Sequence, residues 1–131
     1  MKLWWFFILS LFALSACGGQ AASNPDPASA NIHPAAQAVV NYLQARVEGN
    51  ADAMRQLTCS AEESKVAQLA LSFQGREAQL VDVTCAYESG ERVTCSGNIS
   101  ASYQGEARNF PVPNYRVVEE DGTWRVCGES E

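Results

Sequence analysis

The apolar residues of this chain change their spacing once, near residue 80, from a helical period to a strand period. Before that point, PAAQAVVNYLQARVEGN at residues 34–50 carries an apolar stripe at the i, i+4, i+7 spacing of an amphipathic helix. After it, apolar and polar residues alternate, which is typical of a sheet with one solvated face. The order of the two patterns predicts an α+β domain in which N-terminal helices pack on an antiparallel sheet.

Two shorter helices are predicted between the first helix and the sheet. Asn50 is a suitable N-cap for the second helix, and Ser60 with Glu63 forms a capping-box pattern ahead of the third. The third helix places Phe73 on its apolar face and ends at Gly75. These stripes are typical of surfaces that face a protein core.

Turn signals divide the second half of the chain into strands. Ser89-Gly90, Gln104-Gly105 and Asp121-Gly122 stand between the alternating segments, and Asp-Gly strongly favours a two-residue hairpin. These turns predict a curved four-stranded meander, and Pro111 and Pro113 indicate an irregular or edge region in the third strand.

Four cysteines in the predicted domain form an even, widely spaced set: Cys59, Cys85, Cys95 and Cys127. This pattern predicts disulfides, because structural zinc sites take ligands in close pairs and the single histidine precedes the first helix. About the first turn, Cys85 and Cys95 lie opposite each other, which predicts their pairing and leaves Cys59 with Cys127. Strand alternation points Cys127 away from the helices, so the second disulfide requires a bulge, a twist or the end of the strand.

The chain begins MKLWWFFILSLFALSAC, with one positive charge, an apolar stretch of about a dozen residues, and small residues before a cysteine. As a helix this stretch would be about 18 Å long, which is too short for a hydrocarbon core of about 30 Å. The segment therefore has the layout of a secretory signal peptide.

The four residues Leu14-Ser15-Ala16-Cys17 resemble the lipobox of bacterial lipoproteins. In that family the cysteine thiol carries diacylglycerol and the signal is removed before it, so the resemblance implies a protein anchored to a membrane and facing the extracytoplasmic side. Each buried methylene contributes about 0.8 kcal/mol, so two or more acyl chains anchor stably. The segment that follows is rich in Gly, Ala, Ser, Asn and Pro, which predicts a flexible tether that includes His33. The predicted organisation is a signal peptide at 1–16, the lipidated cysteine and tether at 17–33, and a folded domain at 34–131.

Two stretches, VNYLQARVEGNADAMRQL at 40–57 and YRVVEEDGTWRVCG at 115–128, resemble the nuclear transport factor 2-like superfamily. The closer likeness is to small secreted or lipid-anchored bacterial members, and it covers residues 34–128. The resemblance implies a cone-shaped fold with a pocket between the concave sheet face and the helices. A cystatin-like fold, with one long helix wrapped by a meander, is the second choice.

Enzymes of that superfamily use an acid or histidine base inside the cone. The face predicted to line the cone, which includes Val81, has neither, and alternation turns Asp82 to solvent. We therefore expect no catalytic residue, no metal site and no cofactor. The candidate pocket-lining residues are aromatic: Phe73, Tyr87, Tyr103, Tyr115 and Trp124.

Charge narrows the range of partners. Without Lys2 the chain has 8 basic and 15 acidic residues, for a formal charge of −7. A nucleic-acid partner requires the opposite sign, so attachment to a membrane must depend on lipid. The expected function is a membrane-anchored, non-catalytic binding or assembly module with a protein partner. The alternatives are a carrier of an apolar small ligand and, less favoured, an isomerase-type enzyme.

Overall fold

The computed structural model describes residues 32–131, so the predicted signal peptide, Cys17 and most of the tether lie outside the described residues. Three helices precede five strands. The helices are α1 Pro34–Glu48, α2 Ala51–Leu57 and α3 Val66–Ala70, with a 3₁₀ turn at Glu63–Lys65 before α3; the strands are β1 Gln79–Ser89, β2 Arg92–Tyr103, β3 Glu106–Pro111, β4 Asn114–Glu120 and β5 Thr123–Ser130.

The predicted α+β architecture is confirmed, but the sheet has five strands and not four. The segment predicted as one irregular strand is divided into β3 and β4 at Val112-Pro113. Both pieces pair with the long β2, β3 along its C-terminal half and β4 at its N-terminal end. The division follows from the two prolines, because proline has no N–H to donate to a ladder.

Helix α1 lies in the concavity of the sheet and forms the centre of the core. Its buried residues occupy most of its circumference, since the sheet curves around it: Ala35, Ala36, Ala38, Val39, Tyr42, Leu43, Ala45 and Val47. The curvature brings β1 close to β5, where the ring centroids of Tyr87 and Trp124 lie 5.5 Å apart. The concave face of the sheet is therefore packed against the helix.

The N-terminal ends of the three helices test the predicted N-caps. His33, predicted as part of the tether, is the N-cap of α1, and its Nδ1 accepts a hydrogen bond from the Ala35 amide at 3.2 Å. Asn50 caps α2 as predicted, accepting from the Ala53 amide at 3.0 Å. The predicted capping box is wrong, because Ser60 donates to a carboxylate on β4 from both its amide and its hydroxyl.

A bulge in β1 changes which residues face the core. The register shifts between Val81 and Thr84, and Asp82 adopts a left-handed φ of 51°. Upstream of the bulge the alternation is reversed, so Leu80 is half-buried and Val81 is 39% exposed. The prediction that Val81 faces inward is therefore wrong, whereas Asp82 is exposed as predicted.

Both predicted disulfides are present. Cys85 and Cys95 are direct cross-strand partners in β1 and β2, with Cα atoms 4.1 Å apart. The Cα atoms of Cys59 and Cys127 lie 5.2 Å apart.

The second disulfide forms at a bulge, one of the three irregularities that alternation left open. The ladder of β4 with β5 shifts register after Tyr115, and Gly128 takes a positive φ of 99°. The chain after α2 runs parallel to β5, and the Cys59 amide donates to the Val126 carbonyl at 2.9 Å. Cys59 thus reaches Cys127 from the edge of the sheet.

Candidate functional site

Two neighbouring clefts open where the last turn of α1 faces the end of β5. The first, called here the tyrosine cleft, has a volume of about 340 Å³ and is lined chiefly by Tyr42, Glu62, Lys65, Leu69, Tyr115 and Glu129. The second, called here the aromatic cleft, has a volume of about 330 Å³ and is lined chiefly by Arg46, Phe73, Ile99, Tyr103, Phe110 and Glu129. Glu129 lines both clefts, so they meet at this residue.

An ion pair separates the two clefts. Arg46 Nη1 lies 3.6 Å from Glu129 Oε1, and the Arg46 side chain is 15% exposed whereas that of Glu129 is 57% exposed. The guanidinium also lies over the Phe73 ring, 5.6 Å from its centroid. Among the described residues, Arg46 Nε is buried without a hydrogen-bond partner. This cation is thus held by one exposed carboxylate, and it also lies beside the Tyr115 hydroxyl.

Two buried tyrosines form the wall beside this ion pair. The rings of Tyr42 and Tyr115 meet edge to face with centroids 5.8 Å apart, and Tyr115 is only 1% exposed. Burial raises the pKa of both hydroxyls above the usual value, and the charge of Arg46 opposes this effect. In residues 32–131 the Tyr115 hydroxyl has no hydrogen-bond partner. The wall of the tyrosine cleft therefore holds a protonated hydroxyl that is shielded from solvent and lies beside Arg46.

We expect Tyr115→Phe to leave the free energy of unfolding unchanged at neutral pH or to raise it by about 1 kcal/mol, because it removes an unsatisfied buried group. At high pH the expected effect is larger. The raised pKa means that the unfolded chain loses this proton first, so stability falls as pH rises above about 10, and Tyr115→Phe removes part of that fall. Denaturant titrations at neutral and alkaline pH measure both effects.

Tyr87→Phe is the matched control. The Tyr87 hydroxyl donates to the Gly90 carbonyl at 2.7 Å, so its loss should cost about 1 kcal/mol at neutral pH. An equal loss in both variants would show that the Tyr115 hydroxyl is satisfied in the folded protein.

The aromatic cleft is built by the hairpin of β2 and β3. Ile99 pairs with Phe110 across the hairpin, so the two side chains lie on one face. The Phe110 ring lies 6.0 Å from Phe73 and 5.8 Å from Tyr103, and Phe110 is 38% exposed. The cleft thus presents an apolar aromatic surface to solvent.

The five aromatic residues predicted to line one pocket lie in three places. Tyr115 lies in the tyrosine cleft, and Phe73 and Tyr103 lie in the aromatic cleft. Tyr87 and Trp124 instead contact His33: its ring stacks on Tyr87 at 4.0 Å and meets Trp124 edge to face at 5.7 Å. The tether and the domain therefore join at an aromatic cluster.

Sequence reasoning missed the polar members of the site. Arg46 follows Leu43 by three residues, so a cation on the apolar stripe of α1 was an available signal. Glu129 is the cross-strand partner of Tyr115. This pairing depends on the β5 bulge, so no local pattern indicates it.

The two carboxylates that line the tyrosine cleft are ion-paired, Glu129 with Arg46 and Glu62 with Lys65 at 2.7 Å. Outside the clefts, His33 Nδ1 caps α1 and Asp82 is exposed at the bulge of β1. Within residues 32–131, no group of three or more metal-ligating side chains comes together. None of the helices in the described part of the chain is long and apolar enough to cross a membrane.

The chain matches no protein-family model, and no curated protein matches it. Among solved structures, it is similar to a designed protein of the nuclear transport factor 2-like type, with 14% sequence identity and a TM-score of 0.47. The aligned part covers 69% of this chain and 89% of the designed one. The similarity is one of backbone arrangement.

Proposed function

We propose that this chain is an extracytoplasmic lipoprotein, attached to a membrane through Cys17, whose folded domain is a non-catalytic binding module. The observation that carries the binding role is the pair of open clefts that meet at the ion pair of Arg46 with Glu129. Arg46 and the Tyr115 hydroxyl lie side by side at this junction, and neither Arg46 Nε nor that hydroxyl makes a hydrogen bond of good geometry within the described residues. Buried donors are normally satisfied, so a ligand's acceptor that displaces the exposed Glu129 carboxylate would complete them.

The same geometry favours recognition over catalysis. A base must have a free lone pair within reach of a substrate proton. Glu129 is paired with Arg46, Glu62 is paired with Lys65 at 2.7 Å, and Tyr115 retains its proton at physiological pH. The clefts therefore offer donors that can hold a negative or carbonyl oxygen.

The location is supported by sequence and by chemistry. The lipobox resemblance at Cys17, the tether and two disulfides all fit a protein that is exported to an oxidising compartment. The excess of acidic residues makes lipid the source of membrane attachment.

Replacing Cys17 tests the anchor. We expect Cys17→Ser to release the domain from membranes or to leave an uncleaved precursor, because serine has no thiol for the lipid. Membrane fractionation and intact mass measure the two outcomes, and the wild-type mass should exceed that of the bare chain by the attached lipid.

Ser15→Ala is the control, since it keeps a small residue at position 15 and the thiol at Cys17. It should remain processed and membrane-bound. Fully processed Cys17→Ser protein in the membrane fraction would contradict the proposal.

The aromatic cleft supports a second candidate, a carrier of an apolar small ligand. Its volume of about 330 Å³ suits a small molecule, and Phe110 leaves apolar surface exposed at its mouth. The carrier and the binding module differ in whether the occupant is a small molecule or a protein.

A further inference from the structure

Two arginines differ from every other cation of the folded domain. Of the eight basic residues in 32–131, six have a carboxylate within 4.0 Å: Arg46, Arg55, Lys65, Arg92, Arg116 and Arg125. Arg76 and Arg108 have none within that part of the chain. In an acidic domain, unpaired cations are the exception.

The two unpaired arginines lie against the same aromatic ring. The guanidinium carbon of Arg76 is 4.5 Å from the Tyr103 ring centroid, and that of Arg108 is 5.6 Å from it. Arg108 is placed there by its pairing with Ala101 in the hairpin, and the Arg76 carbonyl accepts from the Ser102 amide at 2.7 Å. The two guanidinium carbons are therefore at most about 10 Å apart, and an anion within reach of both would stabilise the arrangement.

Tyr103 connects these charges to the aromatic cleft. Its ring lines the cleft with Phe73 and Phe110, and Phe110 remains 38% exposed. The cleft therefore combines an apolar aromatic surface and the ion pair of Arg46 with Glu129 in its lining, and two further arginines contact the lining residue Tyr103. A ligand with a flat apolar ring and one negative group matches both features.

We propose that the aromatic cleft binds a small aromatic anion, with the ring against Phe73, Tyr103 and Phe110 and its carboxylate or sulfonate held by Arg76 and Arg108. The inference rests on the proposed binding role and assigns a ligand class to one of the two clefts. The ion pair between Arg46 and Glu129 forms the inner boundary of this site.

The test compares a charged and an uncharged probe of similar shape. The probes are 1-anilinonaphthalene-8-sulfonate and N-phenyl-1-naphthylamine, which differ in the sulfonate. The protein is the lipid-free mature chain, residues 18–131, with both disulfides formed, which contains every described residue. Fluorescence titration should give one sulfonate site per chain.

The double variant Arg76→Gln/Arg108→Gln should weaken sulfonate binding about tenfold or more, because it removes two charge-assisted donors. Binding of the uncharged amine should stay within about twofold of wild type, since the aromatic surface is unchanged. Arg76→Lys/Arg108→Lys should retain most of the sulfonate binding, because it keeps both charges. Circular dichroism confirms that each variant is folded.

The control is Arg92→Gln/Arg116→Gln, which removes the same charge from arginines that are paired with Glu88 and Glu91. It should leave sulfonate binding within about twofold of wild type. Equal loss in the two Gln variants would overturn the assignment, as net charge alone would explain it. If the uncharged amine binds and the Arg76 and Arg108 substitutions leave sulfonate binding unchanged, the cleft binds an apolar ligand and the assignment of an anionic group is wrong. If neither probe binds, the aromatic cleft is not a ligand site. The Cys17 anchor is tested separately, by Cys17→Ser.

Discussion

Gly97→Ala is expected to lower the free energy of unfolding by about 3 kcal/mol, because the new Cβ meets backbone atoms and the φ is unfavourable for alanine. Gly97 has a φ of +103°, and a Cβ there would lie 2.5 Å from the Asp82 carbonyl oxygen and 2.7 Å from the Val83 Cα. These atoms belong to the bulge of β1, so neither can move without breaking the ladder between β1 and β2. Denaturant unfolding followed by circular dichroism measures the loss.

Gly105→Ala separates the two causes. Gly105 also has a positive φ, of +83°, but apart from its chain neighbours no described atom lies within 4 Å of the added Cβ. Its expected cost is about 1 kcal/mol, from the backbone conformation alone. Equal losses in the two variants would show that the bulge shifts to accept a side chain at position 97.

Gly97 also shows where sequence patterns stop being informative. Alternation predicted the strands, their solvated face and the cross-strand pairing of Cys85 with Cys95, since each follows from a period of two counted from a turn. The prediction that Val81 faces inward was wrong because the bulge at Asp82 reverses the alternation of side chains upstream of it. That bulge fits against a glycine in the neighbouring strand, so it is a long-range property that one segment cannot reveal.

The candidate site was predicted only in part, for a related reason. Periodicity assigned the tyrosines and Trp124 to the correct face of the sheet, but the curvature around α1 determines which of them meet. Phe73 was predicted on a third helix ending at Gly75, whereas α3 ends at Ala70 and Phe73 lies in the turn after it. Tyr87 and Trp124 lie at one end of the helix with its cap, whereas Phe73 and Tyr103 lie at the other. The ring of Tyr115 lies between them.

The charged residues of the site were not predicted, because a charged side chain normally indicates a solvent-exposed position. Arg46 is mostly buried, its guanidinium over Phe73 and paired with Glu129. Arg76 and Arg108 come together only because the hairpin of β2 and β3 and the loop after α3 meet at Tyr103. The composition gives the number of cations, but only the folded structure shows which of them lie beside a carboxylate.

Removing the disulfide between Cys59 and Cys127 should lower the free energy of unfolding by about 4 kcal/mol, since it closes the longer loop. The two cysteines are 68 residues apart, and Cys59 is fully buried. We therefore choose Cys59→Ala/Cys127→Ala, because serine would bury a hydroxyl. The same bond fixes β5 to the chain after α2, so its loss should also increase hydrogen exchange at the Cys59 position amide, which donates to Val126.

Cys85→Ala/Cys95→Ala provides the comparison, because that disulfide spans only 10 residues and lies within one hairpin. In the chain-entropy account its loss costs about 2.7 kcal/mol, against about 4.4 kcal/mol for the longer loop, so the two double variants should differ by about 1.7 kcal/mol in denaturant unfolding. The difference should grow if Cys59 also contributes packing, since its side chain is buried and that of Cys85 is half-exposed. An equal or reversed order would mean that the hairpin bond stabilises the β1 bulge, and the sheet would then depend on its first two strands more than on the connection to the helices.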